Sequence, residues 1–197
     1  KCGMNAKTYR KAANTVLYLL EHCRDARPGV THLLKMLWYA DYWHYQQQLQ
    51  FVTDGEYIAA ERGPLFVGYE PLLEQMEKDG AIQRHEVPVF GGAKPKIECE
   101  PLMEADEAAF SESEFRVLRR VVAECGSETG NALSLRTHTE SPWPLIWDAE
   151  SPSKRIPRIA LRWIENLPVD DDIVKGKAKA AVERPHVAHE VAALLGA

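Results

Sequence analysis

Long apolar runs are missing from this sequence of 197 residues. No stretch approaches the roughly 18 apolar residues that a helix needs to cross a bilayer. The opening KCGMNAKTYRK is positively charged but lacks the apolar segment and small-residue cleavage site of a secretory signal. We interpret Met4 as the native start, and we expect a protein of the cytoplasm with no membrane partner.

Cysteines are few and scattered along the chain. The four of them, Cys2, Cys23, Cys99 and Cys125, form no CxxC pair and have no histidine at ligand spacing. Zinc sites and redox dithiols require such spacings. We therefore expect free, buried thiols in a reducing compartment, with no metal site and no cofactor.

Motifs of the common enzyme classes are also missing, since the sequence has no nucleophile elbow, HExxH, P-loop or GxGxxG. Positive charge is not in excess, because the formal net charge is -5, whereas nucleic-acid binding usually depends on a positive field. The basic candidates for a DNA-reading helix are Arg116, Arg119 and Arg120. A solvated helix face is the simpler interpretation of these arginines. We expect a non-enzymatic protein that does not take nucleic acid as a partner.

The composition is that of a globular protein, with 45% hydrophobic and 27% charged residues. The length fits one domain with a tail. We place the domain at residues 5–168, because the acidic run Asp170–Asp172 follows Pro168. The tail, 169–197, is expected to hold a short amphipathic helix with the apolar residues Val187, Val191, Leu194 and Leu195.

Apolar residues at spacings of three and four predict that most of the chain is helical. The predicted helices cover residues 5–23, 31–49, 69–78, 111–125, 132–138 and 158–166. Thr53–Glu56 has the pattern of a capping box and predicts a short helix or turn over Tyr57–Glu61. Between Ile82 and Leu102 the period changes to that of strands, which predicts a hairpin with its turn at Gly91-Gly92. The predicted fold class is mostly α, a compact helical domain with one small β-hairpin.

The second predicted helix concentrates aromatic side chains. Helical spacing places one stripe on Trp38, Tyr42 and Tyr45. A second stripe contains Leu34, Leu37, Asp41 and His44. The five aromatic residues between positions 38 and 45 are too many for one core face. We therefore expect some of them to be half-buried and to line a groove or an interface.

Asp41 and His44 lie three residues apart, so an acid–imidazole pair on one helix face is geometrically available. With His138 they are the candidates for a small hydrolase. A catalytic site also needs a nucleophile or a metal, which the sequence does not indicate. A carboxylate in an apolar helix commonly satisfies buried donors, and a histidine can bond the carbonyls at a helix C-terminus. We prefer these structural roles and keep the hydrolase as an alternative.

Four blocks, in order, resemble a known protein family. They are THLLKMLWYADYWHYQQQ (31–48), DGEYIAAERGPL (54–65), FSESEFRVLRRVV (110–122) and ALSLRTHTESPW (132–143). A "DG-I" turn at 78–82 lies between the second block and the third. The blocks are similar to those of the SocA-like antitoxins, also called the Panacea domain, over roughly residues 10–166.

The resemblance implies a bacterial, non-enzymatic antitoxin that binds and neutralises a cognate toxin encoded beside it. The protein that gives the family its name is an adaptor that delivers its toxin to the ClpXP protease, so ClpXP is a second implied partner. The expected partner-binding residues are Trp38, Tyr42, His44, Tyr45, Gly63, Pro64, His138 and Trp143. A DNA-binding autorepressor of a toxin–antitoxin operon is the alternative from another functional class.

Two features depart from the family pattern. Gln46–Gln48 and Gln50 stand where a charged, glycine-containing turn is expected. The tail beyond Asp172 is not required by the domain, so an adaptor function specific to this chain could reside there.

Overall fold

The structure, a computed structural model, describes residues 4–25, 27–89, 94–140, 142–147 and 154–158, without the side chain of Leu145. Within these residues the chain forms, in order, α1 (Ala6–His22), α2 (Val30–Gln48), β1 (Tyr57–Ala60), β2 (Gly63–Phe66), α3 (Tyr69–Lys78), β3 (Ile82–Val87), β4 (Lys96–Pro101), α4 (Glu112–Cys125), α5 (Gly130–Glu140) and α6 (Trp143–Ile146). The prediction of a mostly α fold is confirmed. The helix predicted at 158–166, the domain boundary at Pro168 and the tail helix lie outside the described residues.

The chain divides into two compact units. Unit 1 contains residues up to Gly55 and from Phe66 to Leu133. Unit 2 contains Glu56–Leu65 and the described residues from Ser134 onward. The helix α5 contributes its first residues to unit 1 and the rest to unit 2. None of the described helices is both long and apolar enough to span a membrane.

The helix α2 is the centre of unit 1, where it packs against α1, α4 and β4. Its side chains are buried without interruption from His32 to His44. A helix that is apolar on nearly all faces requires neighbours on several sides, and these three elements provide them. This packing on three sides places α2 at the centre of unit 1.

Local signals fix the ends of the helices around α2. The Asn5 side chain accepts a hydrogen bond from the Thr8 amide at the start of α1. At the start of α4, Ser111 and Glu114 form a reciprocal capping box. The helix α2 ends at Leu49, which has a left-handed φ of 58° and donates its amide to the Tyr45 carbonyl.

The two paired strands predicted between Ile82 and Leu102 are confirmed, whereas the predicted turn at Gly91-Gly92 lies outside the described residues. β3 and β4 pair antiparallel, with Ile82 opposite Pro101 and Val87 opposite Lys96. Across this pair the imidazole of His85 lies 2.7 Å from the Glu100 carboxylate. The guanidinium of Arg84 on β3 donates twice to one carboxylate oxygen of Glu77 in α3, and the Arg84 amide donates to the other oxygen, which ties the hairpin to that helix.

The expectation of a helix or turn over Tyr57–Glu61 is wrong, because Tyr57–Ala60 is a strand that pairs with Gly63–Phe66 in a second small sheet. Tyr57 and Ala59 are buried and alternate with less buried neighbours, which is the period of a strand. Gly63 has a φ of 96°, so the tight turn between the strands favours glycine there. The capping box did not form because the hydroxyl of Thr53 bonds elsewhere.

In unit 2 a later segment of the chain runs beside β1. The Ala59 amide donates to the Lys154 carbonyl, and the Ile156 amide donates to the Tyr57 carbonyl, each over 2.8 Å. The Arg155 guanidinium and the Glu56 carboxylate add an exposed ion pair at 3.1 Å. Backbone hydrogen bonds thus extend the small sheet with residues about one hundred positions later.

Candidate functional site

Most aromatic residues of α2 are core residues. Trp38, Tyr39 and Tyr42 are at most 1% exposed, and Trp43 is 6% exposed. The rings of Trp38 and Tyr42 stack at 5.4 Å, and those of Tyr39 and Trp43 lie 4.9 Å apart. Half-burial, which we expected of some of the five aromatic residues, is therefore not found at these four, because α2 is enclosed on several sides.

Tyr45 is the exception among the aromatic residues of α2, since it lies half-buried near the end of the helix. Its ring contacts the edge of Phe51 at a centroid distance of 5.4 Å. Trp38 and Tyr42, which share its predicted stripe, can influence a partner only through the residues that cover them. Tyr45 remains the accessible candidate on this helix.

Asp41 has a fully buried carboxylate. One oxygen accepts the Thr53 amide at 2.8 Å, and the other accepts the Thr53 hydroxyl at 2.5 Å. The Gly55 amide donates in turn to the Thr53 hydroxyl oxygen at 3.1 Å. Asp41 therefore fixes the turn after α2, which supports the structural role favoured by the sequence.

The same turn requires a glycine at position 55. A Cβ atom placed on Gly55 would lie 2.2 Å from the ring of Phe66. No side chain fits at that distance, so the backbone approaches the ring directly. The turn is thus held from one side by Asp41 and from the other by Phe66.

His44 is buried, and both ring nitrogens have partners. Nδ1 lies 2.7 Å from the Gln50 carbonyl, and Nε2 lies 3.1 Å from the Ser113 hydroxyl. A carbonyl can only accept, so Nδ1 donates to Gln50, while Nε2 pairs with the Ser113 hydroxyl, which can donate or accept. The acid–imidazole pair that spacing allowed is therefore not formed with Asp41. His44 instead joins the end of α2 to the start of α4.

In unit 2 three rings lie in one stack. His138 and Trp143 are separated by 3.9 Å with planes 14° apart, and Trp143 and Trp147 by 5.3 Å with planes 15° apart. The Trp143 indole donates to the Ala60 carbonyl at 2.8 Å, which fixes the middle ring. The outer rings of His138 and Trp147 are half-buried. The structure thus brings together His138 and Trp143 from the predicted set.

Leu135 is the most exposed large apolar side chain of the described residues, at 68%. It lies on α5 one helical turn before His138, and the two side chains therefore share a face of that helix. Gly63 and Pro64, in the same unit, are buried at the start of β2. They shape the hairpin turn, whereas Leu135 and Trp147 supply accessible surface that the sequence analysis missed.

The three candidates for hydrolase chemistry are divided between the units. Asp41 and His44 belong to unit 1, and His138 belongs to unit 2. The nitrogens of His44 are already engaged by Gln50 and Ser113. In the part of the chain that the structure describes, no group of three or more His, Cys, Asp or Glu residues could hold a metal ion. No observation specifically favours the hydrolase.

Lys35 is an ionisable group in the buried part of α2. Only 3% of the residue is exposed, and burial lowers the pKa of its ammonium to about 8. The sequence indicates its position in a buried helix but not the loss of solvent around it. A substantial fraction of this lysine is uncharged slightly above neutral pH.

The three arginines of α4 have different environments. Arg116 pairs with Glu112 at 3.3 Å, and Arg120 pairs with Glu124 at 2.8 Å. Arg119 lies instead over the ring of Phe115, 4.4 Å from its centroid. Two of the three charges are thus partly neutralised within the helix, which gives no specific support to a DNA-reading face.

Comparison of the sequence with models of known protein families gives one match. A family model described as "Antitoxin SocA-like, Panacea domain" matches residues 33–144, more than half of the chain. The matched segment runs from the start of the buried part of α2 to α6 and includes Asp41, His44, His138 and Trp143. No curated protein and no solved structure matches the chain.

Proposed function

The chain belongs to the family of SocA-like antitoxins with a Panacea domain, and from this premise we propose that it binds and neutralises a cognate protein toxin. A role in a toxin–antitoxin system follows from the family. Beyond this role, we propose that the chain comes from a bacterium and binds one specific toxin, which is encoded by a neighbouring gene. The match over residues 33–144 is the observation that carries the proposal.

The arrangement of the described residues supports binding rather than catalysis. The polar groups of α2 that resemble catalytic ones have structural partners, namely Thr53 for Asp41, and Gln50 with Ser113 for His44. Aromatic surface is accessible instead at Tyr45, His138 and Trp147. Aromatic residues are favoured at the centres of protein interfaces.

We assign the toxin-contacting face of unit 2 to Leu135, His138 and Trp147, backed by Trp143. A stack of flat rings held at its middle by the bond to Ala60 loses little conformational entropy on binding. The remaining predicted residues, Trp38, Tyr42, His44, Gly63 and Pro64, act by shaping the framework, because they are buried. Tyr45 is the corresponding contact residue in unit 1.

Co-expression of the chain with its neighbouring gene tests the proposal. We expect the neighbour to arrest growth when expressed alone, to become harmless when this chain is present, and to copurify with it. A neighbour that is harmless alone, or a toxic neighbour that neither copurifies nor is neutralised, would contradict the proposed function.

Leu135→Glu tests the contact face. It places a charge at an exposed position, so the fold should persist while toxin affinity falls at least tenfold. Leu102→Glu is the matched control, because Leu102 is 55% exposed in unit 1 and belongs to no proposed contact. If both variants bind the toxin with equal affinity, Leu135 is not part of the interface.

We propose further that the chain delivers its toxin to ClpXP, with the tail from Ile173 to Ala197 as the docking segment. Toxin half-life is measured in cells with and without ClpXP, using the full chain and a chain that stops at Asp172. The adaptor proposal requires rapid toxin turnover only when ClpXP and the tail are both present. Rescue of growth without ClpXP would instead indicate inhibition by binding alone.

A further inference from the structure

A groove opens on unit 1 between the last turns of α1 and the middle of α4. It has a volume of about 310 Å³, and Tyr18, Phe115 and Val122 form its floor. Its rim consists of His22, Glu107, Arg119 and Ala123, which are exposed. The volume lies at the low end of the range for ligand pockets and suits one large side chain of a partner protein.

The floor of the groove is rigid and aromatic. Tyr18 is 3% exposed, and its ring meets the edges of Phe115 at 5.4 Å and Phe110 at 5.8 Å. The imidazole of His22 stacks on Tyr18 at 4.2 Å. These contacts hold the rings in place before any partner binds, so the groove is preformed.

The rim carries a guanidinium without a carboxylate partner. Residues four positions from Arg119 along α4 are Phe115 and Ala123, so no glutamate can pair with it as Glu112 and Glu124 pair with Arg116 and Arg120. Among the described residues Arg119 forms no ion pair, and its guanidinium rests on the Phe115 ring. One of its N–H donors bonds the Tyr18 hydroxyl, and the others remain available for a carboxylate.

The opposite charge stands on another part of the rim. Glu107 also forms no ion pair among the described residues. His22, whose Nδ1 donates to the Tyr18 carbonyl at 3.0 Å, is exposed beside these two charges. The complementary surface therefore has an apolar anchor, a negative group for Arg119 and a positive group or donor for Glu107.

We propose that this groove is a docking site for a segment of the cognate toxin, which places an apolar or aromatic side chain on the floor formed by Tyr18 and Phe115 and a carboxylate on Arg119. The inference rests on the proposed function and adds the surface and the chemistry of the contact. Arginine and tyrosine in a well-packed depression are frequent hot spots, and charge complementarity selects a protein segment with both an apolar anchor and an acidic side chain.

Arg119→Glu is the direct test, with dissociation constants measured for the purified antitoxin and its neighbouring toxin. We expect the affinity to fall at least tenfold. Arg116→Glu is the matched control, since it makes the same charge change on the same helix but does not line the groove. Its affinity should stay within about twofold of the wild type. Equal effects of the two variants would overturn the groove proposal.

Ala123→Trp is a second test that leaves the charge unchanged. It fills the groove from an exposed helical position, and we expect toxin affinity to fall at least tenfold. Arg116→Trp is its control. Circular dichroism melting of all variants separates loss of folding from loss of binding. A wild-type chain that binds no neighbouring toxin would contradict the proposed function, whereas normal binding by Arg119→Glu and Ala123→Trp would contradict only the groove.

Discussion

Thr53 donates both its amide and its hydroxyl to the carboxylate of Asp41, twelve positions earlier in the chain. One residue thus satisfies both oxygens of a carboxylate from which water is excluded. The pair fixes the turn after α2 to the middle of that helix. A charged residue in a core is stabilising only when such bonds are complete, because its desolvation is costly.

Asp41→Asn should therefore destabilise the protein by roughly 1–3 kcal/mol, because two hydrogen bonds to a charged group become neutral and the Thr53 hydroxyl, which must then accept from the amide, loses the acceptor of its own proton. Urea unfolding followed by circular dichroism gives this free energy. Thr53→Ser, which keeps the hydroxyl, is the control and should cost much less. An Asp41→Asn protein as stable as the wild type would show that the pair contributes little.

Leu49→Gly is expected to stabilise the protein, although it removes an apolar side chain. Leu49 is exposed and has a φ of 58°, a left-handed conformation that costs a leucine about 1 kcal/mol. Glycine adopts this conformation without a Cβ clash, so we predict a gain of about 0.5–1 kcal/mol in the free energy of unfolding. Leu49→Ala keeps the unfavourable φ and should bring no gain in the same assay.

The burial of Lys35 predicts an unusual dependence of the free energy of unfolding on pH. Burial lowers its pKa to about 8 in the folded chain, from 10.5 in the unfolded one. Between these values the folded state binds fewer protons than the unfolded state, so this group's contribution to stability rises with pH. From about pH 7 to about pH 10 the gain should be roughly 2 kcal/mol, at about 1.4 kcal/mol for each pH unit.

Lys35→Met provides the comparison for that measurement, because it fills similar space without a titratable group. The difference in unfolding free energy between wild type and variant, measured across the pH series, isolates Lys35 from the tyrosines and cysteines that titrate in the same range. A difference that stays constant with pH would show that the ammonium is solvated.

The thiols of Cys23, Cys99 and Cys125 should resist labelling in the folded protein. Cys99 and Cys125 are fully buried, and burial raises the pKa of Cys99 to about 11 and also raises the pKa of Cys23. Few thiolates therefore form at about pH 8, and the reagent cannot reach them. A Cys2→Ser variant should react with a disulfide reagent only after denaturation, and rapid reaction of the native variant would contradict this burial.

The parts of the fold that depend on local pattern could be predicted from the sequence. The capping residues Asn5 and Ser111 and the change of period after Ile82 depend on neighbours within a few positions. Tyr57–Ala60 was predicted wrongly because Thr53 can cap a helix or bond Asp41, and only the folded chain makes the second choice. Local secondary-structure propensity is a weak guide where hydrogen bonds to distant residues compete with it.

The sequence predicts which residues lie close together at the candidate site, but it does not predict which of them are accessible to solvent. Spacing placed Trp38 and Tyr42 on one stripe, and the rings do stack. Their burial depends on packing around α2, which spacing along one helix does not contain. The groove beside Arg119 was missed because Tyr18 and Arg119 come from different segments of the chain. Trp147 lies only four positions after Trp143, but its stacking depends on the short helix α6, which was not predicted.

The indole of Trp143 bonds a carbonyl of the hairpin that was synthesised 83 residues earlier. At typical rates of translation, Trp143 is synthesised on the order of ten seconds after Ala60. Unit 1 can assemble most of its helices in that interval, whereas unit 2 must be completed last. A nascent chain that has not yet reached Trp143 and Lys154 therefore lacks both the ring stack and the segment beside β1, so the surroundings of this early strand are completed only late in synthesis.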